Sequence, residues 1–187
     1  MEKGMLREKL LALEEAAQGF SLPVWEELPA LPLYMDQVIF LLNQYLSWDQ
    51  EQMQEKPLTP AMINNYVKLK IIPPPEKKRY SRRHLAWLVM VCLLKQTLST
   101  NDIRRMLPVA MSEEEEKELY SLFLAAFAKS REDCRQAVRK AAAPVLETES
   151  GRTEQLMFQG AAAAFFFRLV TERMLSTEQA LTEKPMA

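Results

Sequence analysis

Four glycines in 187 residues leave little material for the tight turns of a β-rich fold. Cysteine is nearly absent. Cys92 and Cys134 lie far apart without CxxC spacing, which fits a reducing compartment and offers no zinc site. His84 is the single histidine, so it has no histidine partner for a metal or a proton relay and is expected to pack. No apolar run approaches the roughly 18 residues of a membrane span. The longest, "GAAAAFFF" at 160–167, is bracketed by Gln159 and Arg168. The N-terminal stretch is charged and amphipathic rather than a signal peptide, so a cytoplasmic location is expected. Gly-rich phosphate loops, nucleophile elbows and histidine-based triads are missing, and neither enzymatic activity nor a metal or cofactor is expected.

What the chain has is helix and unevenly placed charge. Apolar residues make up 48% and charged residues 26%, the balance of a globular chain with one sizeable core. The formal net charge of −1 hides an asymmetry. Between Pro57 and Leu107 ten cations face only Glu76 and Asp102, a local excess of +8 that leaves −9 for the remainder. Such a basic segment on an acidic body suggests a module facing nucleic acid; the plainer alternative is a solvated face, or one docked on the acidic part of the same fold.

Helical periodicity runs almost throughout. Residues 2–18 place Met5, Leu6, Leu10 and Leu13 near one face. A proline-punctuated connector, "SLPVWEELPALP", is expected to anchor through Trp25 and Leu28. Helices are then predicted at 33–47, 59–69, 81–98 and 99–107, the third apolar on nearly every side and therefore central. A long helix should start after Ser112, with Glu113 to Glu116 suiting the dipole of its first turn, and stop at Pro144. Its stripe takes in positions 119, 122, 123, 126, 127, 134, 137, 138 and 141, and a last helix covers about 153–175. The expected architecture is all-α, with room for one short ribbon around "PPPEKKRYS".

The 59–69 helix carries the most specific signal. Thr59 is a plausible cap and Pro60 suits the first turn. A 3.6-residue period turns Ile63, Tyr66 and Val67 inward and leaves Ala61, Asn64, Asn65 and Lys68 together outside. Asparagine pairs bidentately with adenine N6 and N7 in the major groove, so two amides and an ammonium on a free face fit base reading. The cations Lys70, Lys77, Lys78, Arg79, Arg82 and Arg83 follow within a few residues, placed to hold a phosphate backbone. Tyr66 is expected either to donate its hydroxyl to a phosphate while its ring packs inward, or simply to pack in the core.

"LTPAMINNYVKLKIIPPP" followed by "RYSRRHLAWLVMVCLLKQTLSTNDIRRML" resembles the winged helix-turn-helix domain of MerR-type transcription regulators. "YMDQV", "MINNYVK", "RYS" and "LKQTLST" are similar to bacterial proteins grouped as domain-of-unknown-function family 1836. The resemblance covers about 25–107. It implies a dimeric regulator of double-stranded DNA, with Thr59, Ala61, Asn64, Asn65, Tyr66, Lys68 and Lys70 on the recognition helix and Lys77, Lys78, Arg79, Arg82 and Arg83 around the wing. Lys70 stands where the regulators usually carry a glycine in left-handed backbone, and the wing is several residues short.

The expected organisation is therefore an N-terminal helix and connector (1–30), a winged helix-turn-helix with a short or vestigial wing (31–108), and a helical pair for dimerisation or an effector (109–187). Phe165, Phe166 and Phe167 cannot all face one core, which marks them for a partner subunit, a small-molecule effector or the winged domain. The alternative function is a protein-interaction module on a winged-helix scaffold that no longer binds DNA.

Overall fold

The computed structural model of the chain describes residues 2–47, 58–107, 111–147 and 153–182. Among these residues seven helices follow in order: α1 (Glu2–Gly19), α2 (Met35–Leu46), α3 (Pro60–Lys68), α4 (Arg82–Leu94), α5 (Thr100–Met106), α6 (Glu113–Glu147) and α7 (Thr153–Thr182), with a 3₁₀ turn at Trp25–Glu27. Among the described residues there is no strand, and the expected ribbon is reduced to two isolated bridges, Leu33 with Tyr80 and Glu76 with Arg79.

α4 is the axis. Its eight consecutive residues from His84 to Val91 are all buried, so the helix must be covered on every side. α2 and α6 pack against it, and α3 packs on α2. Val38 and Leu42 of α2, Ile63 and Tyr66 of α3, and Ile103 of α5 fill the space around Leu85, Trp87, Leu88 and Met90. Trp25 and Leu28 in the connector are buried in the same core, as their place between prolines led one to expect. Asn43 of α2 accepts from the Leu58 amide at 3.3 Å and fixes the entry to α3.

α6 belongs to this core rather than to a separate body. Tyr120 is fully buried and donates its hydroxyl to the Pro23 carbonyl at 2.8 Å, with its ring 6.3 Å from that of Trp25. Burial pushes the phenol well above its usual pKa, so it remains a donor. The side of α6 turned to the core includes Glu116, Leu119, Tyr120 and Phe123. Leu122, counted in the expected stripe, is 67% exposed. The helix also runs on through Pro144, which removes one backbone bond to the carbonyl of exposed Lys140 just before the helix ends. α7 is likewise longer than its periodicity indicated.

Two outer contacts complete the arrangement. α1 lies antiparallel on α6, with Glu14 held by Arg135 and Arg139, and the Phe20 ring 5.8 Å from that of Phe127. α7 packs on α6 and α5, where Arg105 donates to the Leu175 carbonyl at 2.5 Å. No helix among the described residues is long and apolar enough to cross a membrane.

One ion pair ties the start of α4 to the start of α6. The Arg83 guanidinium meets Glu116 Oε1 at 2.5 Å, and the Glu116 side chain is 1% exposed. Its other oxygen has no partner among the described residues. The two ends of this pair are unequal, because Arg83 is 36% exposed and can turn to water whereas Glu116 cannot. Arg83→Ala strands a buried carboxylate and is expected to cost about 3–5 kcal/mol. Glu116→Gln removes the buried charge and should cost less, about 1–3 kcal/mol. Urea denaturation of both variants checks the order.

Candidate nucleic-acid interface

α3 is built as a presented helix. The Thr59 hydroxyl accepts from the Met62 amide at 3.3 Å, and Pro60 occupies the first turn, where its missing N–H is not needed. Ile63 and Tyr66 are buried, so the Tyr66 ring packs inward, as both expectations for it required. Ala61, Asn64, Asn65 and Lys68 are all exposed, as the period required, and Thr59 is exposed beside them.

The end of α3 follows a Schellman pattern. The Lys70 amide donates to the Val67 carbonyl at 3.0 Å and the Ile71 amide to the Tyr66 carbonyl at 2.9 Å. Ile71 and Tyr66, both buried, supply the apolar contact of that motif. This geometry requires a left-handed residue at position 70, and Lys70 adopts φ 54°. The side chain that replaces the expected glycine takes the glycine's backbone.

Where a wing was expected there is a single tight turn. Glu76 and Arg79 exchange two backbone bonds of 3.1 and 2.8 Å around Lys77 and Lys78. Lys77 has φ 47° and Lys78 φ 63°, the conformation of a primed hairpin turn that normally selects Asn-Gly. All three positive-φ residues described are thus lysines. Each non-glycine residue there costs roughly 1 kcal/mol. The turn is anchored at its base by reciprocal 2.8 Å bonds between Leu33 and Tyr80.

The remaining three cations of the cluster are engaged within the fold. Arg79 lies 5.1 Å over the Tyr34 ring and donates to its hydroxyl at 3.1 Å, while remaining exposed. Arg82 donates through Nε to the Leu28 carbonyl at 2.9 Å. Arg83 is committed to Glu116. The basic side chains at this site without a side-chain partner among the described residues are therefore Lys68, Lys70, Lys77 and Lys78, all exposed.

His84 locks this loop to α4. Its Nδ1 accepts from the Ser81 amide at 3.1 Å, with the Ser81 hydroxyl at 2.9 Å, so Nε2 carries the proton and donates to the Pro74 carbonyl at 3.2 Å. The Tyr80 ring stands edge-on at 5.6 Å. The expectation of a packing histidine holds, but a lone histidine in sequence gave no sign of this clasp. Burial is the main influence on its pKa and holds it below the ordinary histidine value; nearby Arg83 acts the same way, while the Pro74 carbonyl, Glu116 and Glu76 oppose.

The three phenylalanines of the expected effector position stand apart from the cleft between α1 and α6. Phe165, Phe166 and Phe167 are 60%, 62% and 77% exposed, and none lines the 770 Å³ cleft, which lies between α1 and α6. Among the described residues no cluster of carboxylate, histidine or cysteine side chains could hold a metal.

Two measurements probe this geometry. His84 is neutral in the fold and protonates more readily when unfolded, so its contribution is complete above the unfolded pKa of about 6.5 and is lost as pH falls below it. Melting temperature should drop between pH 7 and 5, and His84→Gln should flatten that slope. The paired replacement Lys77→Asn with Lys78→Gly gives the turn its preferred residues and should raise stability by about 1–2 kcal/mol in denaturant titrations.

No curated protein and no solved structure matches the chain. A protein family matches residues 23–123, which take in the connector, α2 to α5 and the first turns of α6, the stretch closed by the Tyr120–Pro23 hydrogen bond. That stretch is more than half of the chain, and its family is described as a domain of unknown function, DUF1836: the protein belongs to the DUF1836 family.

Proposed function

We propose that the DUF1836 segment is a MerR-like winged helix-turn-helix with a vestigial wing, and that the chain is a sequence-specific transcriptional regulator acting on double-stranded DNA as a homodimer. The observation that carries this reading is the free face of α3, where Asn64, Asn65 and Lys68 stand exposed on a helix whose other side is buried. In this reading the two amides contact base edges in the major groove and Lys68 holds an adjoining phosphate. Lys70, Lys77 and Lys78 lend support, since each keeps an ammonium at a backbone position that glycine would occupy with less strain. Arg79, Arg82 and Arg83 act as supports of the loop rather than as the main phosphate contacts.

A second reading has one observation in its favour. With three of the five clustered cations engaged internally and the wing reduced to one turn, the exposed lysines would also suit an acidic protein surface. A protein partner does not require two amides on one helix face, and for that reason DNA is preferred.

Selection of binding sites from random genomic fragments, followed by titration of the recovered sequence, tests the proposal. Asn64→Ala and Asn65→Ala should each fold normally, because alanine is the better helix former and both positions face outward. Specific binding should weaken by about 1–3 kcal/mol while non-specific binding stays near its original level. Lys77→Asn with Lys78→Gly should bind all sequences more weakly, and removing each lysine–phosphate pairing should flatten the log–log salt dependence by about 0.9. Recovery of no preferred sequence, or a salt slope unchanged by the lysine pair, would reject the DNA reading in favour of the protein partner.

A further inference from the structure

Two apolar features lying largely outside the family segment stand open to solvent. The first is the 770 Å³ cleft between α1 and α6, whose walls include Leu10, Leu11, Phe127, Val138 and Ala142. That volume lies within the roughly 300–1,000 Å³ of ligand-sized pockets. The second is the middle of α7, which is exposed on all sides from Met157 to Val170.

The two features complement each other. No charged residue interrupts α7 between Glu154 and Arg168, so nothing ionised would enter the cleft. Gly160 to Ala164 form more than one turn of small side chains, which lets a helix approach another closely. Successive phenylalanines at 165–167 splay by about 100° and can meet two walls at once. At the rim of the cleft, Arg135 and Arg139 are already paired with Glu14, leaving a polar edge around an apolar floor.

The exposed area is also of the size an interface needs. Phe158, Phe165, Phe166 and Phe167 are 60–77% exposed, which at roughly 200 Å² for a phenylalanine gives about 500 Å². Met157, Val170 and Met174 are also more than half exposed, and because each copy contributes both its helix and its cleft, the face of α7 that enters the cleft need supply only part of the roughly 800 Å² that each partner contributes to a stable complex. α7 cannot fill the cleft of its own chain while its ends hold. Leu175 is buried with its carbonyl bonded to Arg105, and Thr153 follows the end of α6 by a short connection.

We propose that the bare middle of α7 in one copy seats in the α1–α6 cleft of a second copy, and the reverse, in a two-fold dimer. Each interface then joins the same two surfaces, so the assembly closes on itself. The assignment rests on the dimeric part of the functional reading and is independent of whether α3 binds DNA.

Cys134 lines the cleft and is exposed, which makes it a built-in reporter. Single cysteines are introduced into the full chain as Ala161→Cys, Ala162→Cys, Ala163→Cys and Ala164→Cys, four exposed positions that span one helical turn. Each variant is treated with a short bismaleimide and read on a denaturing gel. The expected result is a covalent dimer from at least one position, abolished by Cys134→Ser. A covalent dimer that survives Cys134→Ser overturns the proposal, since α7 would then contact some other surface. A chain that sediments as a dimer yet gives no covalent dimer overturns it as well. Sedimentation as a monomer at micromolar concentration overturns both this assignment and the dimer of the functional reading, and leaves the contacts of α3 to be decided by the DNA titrations.

Discussion

The rest of the fold depends on the burial of α4. A helix with eight consecutive buried residues has no polar side to give to solvent, so it cannot lie on a surface. α2 and α6 cover it, the connector closes against the same core, and α3, packed on α2, joins that core through Ile63 and Tyr66. α3 is available because only one side of it, with Ile63 and Tyr66, is taken into that core; among the described residues nothing covers the side that carries Asn64, Asn65 and Lys68. The exposed asparagines are thus a consequence of this packing as much as of their own polarity. The Arg83–Glu116 pair and the Tyr120 hydroxyl then hold α6 in place over the start of α4 and the connector.

The loop after α3 shows how backbone geometry and charge can compete for one position. Lys70, Lys77 and Lys78 occupy conformations in which a side chain is disfavoured, yet the hydrogen bonds of the Schellman motif and of the turn are formed around them. The neighbouring groups supply the compensation. Ile71 and Ile72 are buried, His84 bonds both Ser81 and Pro74, and Tyr80 pairs with Leu33, so the segment is fixed at several points and the lysines have no freedom to relax. Their ammonium groups are consequently presented from a rigid frame rather than from a mobile loop.

Much of this was legible in the sequence because it depends on local pattern. The inward turn of Ile63 and Tyr66, the capping by Thr59, the burial of the 84–91 stretch and the anchoring by Trp25 and Leu28 all follow from periodicity and from residues with one strong preference. What could not be read was set by distant partners. Glu116 stands in a run of four glutamates that looks entirely like a dipole-matched first turn, and only the fold brings Arg83 against it. Arg82 and Arg79 looked free because Leu28 and Tyr34, which hold them, lie 54 and 45 residues earlier. The wing was expected to be short, but the left-handed lysines that form it were invisible, since lysine carries no signal for that conformation.

The clasp between Tyr120 and Pro23 has a consequence for how such a segment can be reused. It brings the two ends of the family unit within a hydrogen bond of each other, 97 residues apart in sequence. A unit whose entrance and exit coincide can be set between two neighbouring helices of a host without pulling them apart. Here the hosts are α1 and the remainder of α6, which leave the unit side by side and run antiparallel, gripped by Glu14, Arg135 and Arg139 and by the rings of Phe20 and Phe127. The appended helices can therefore differ in length and sequence without separating the unit's entrance from its exit.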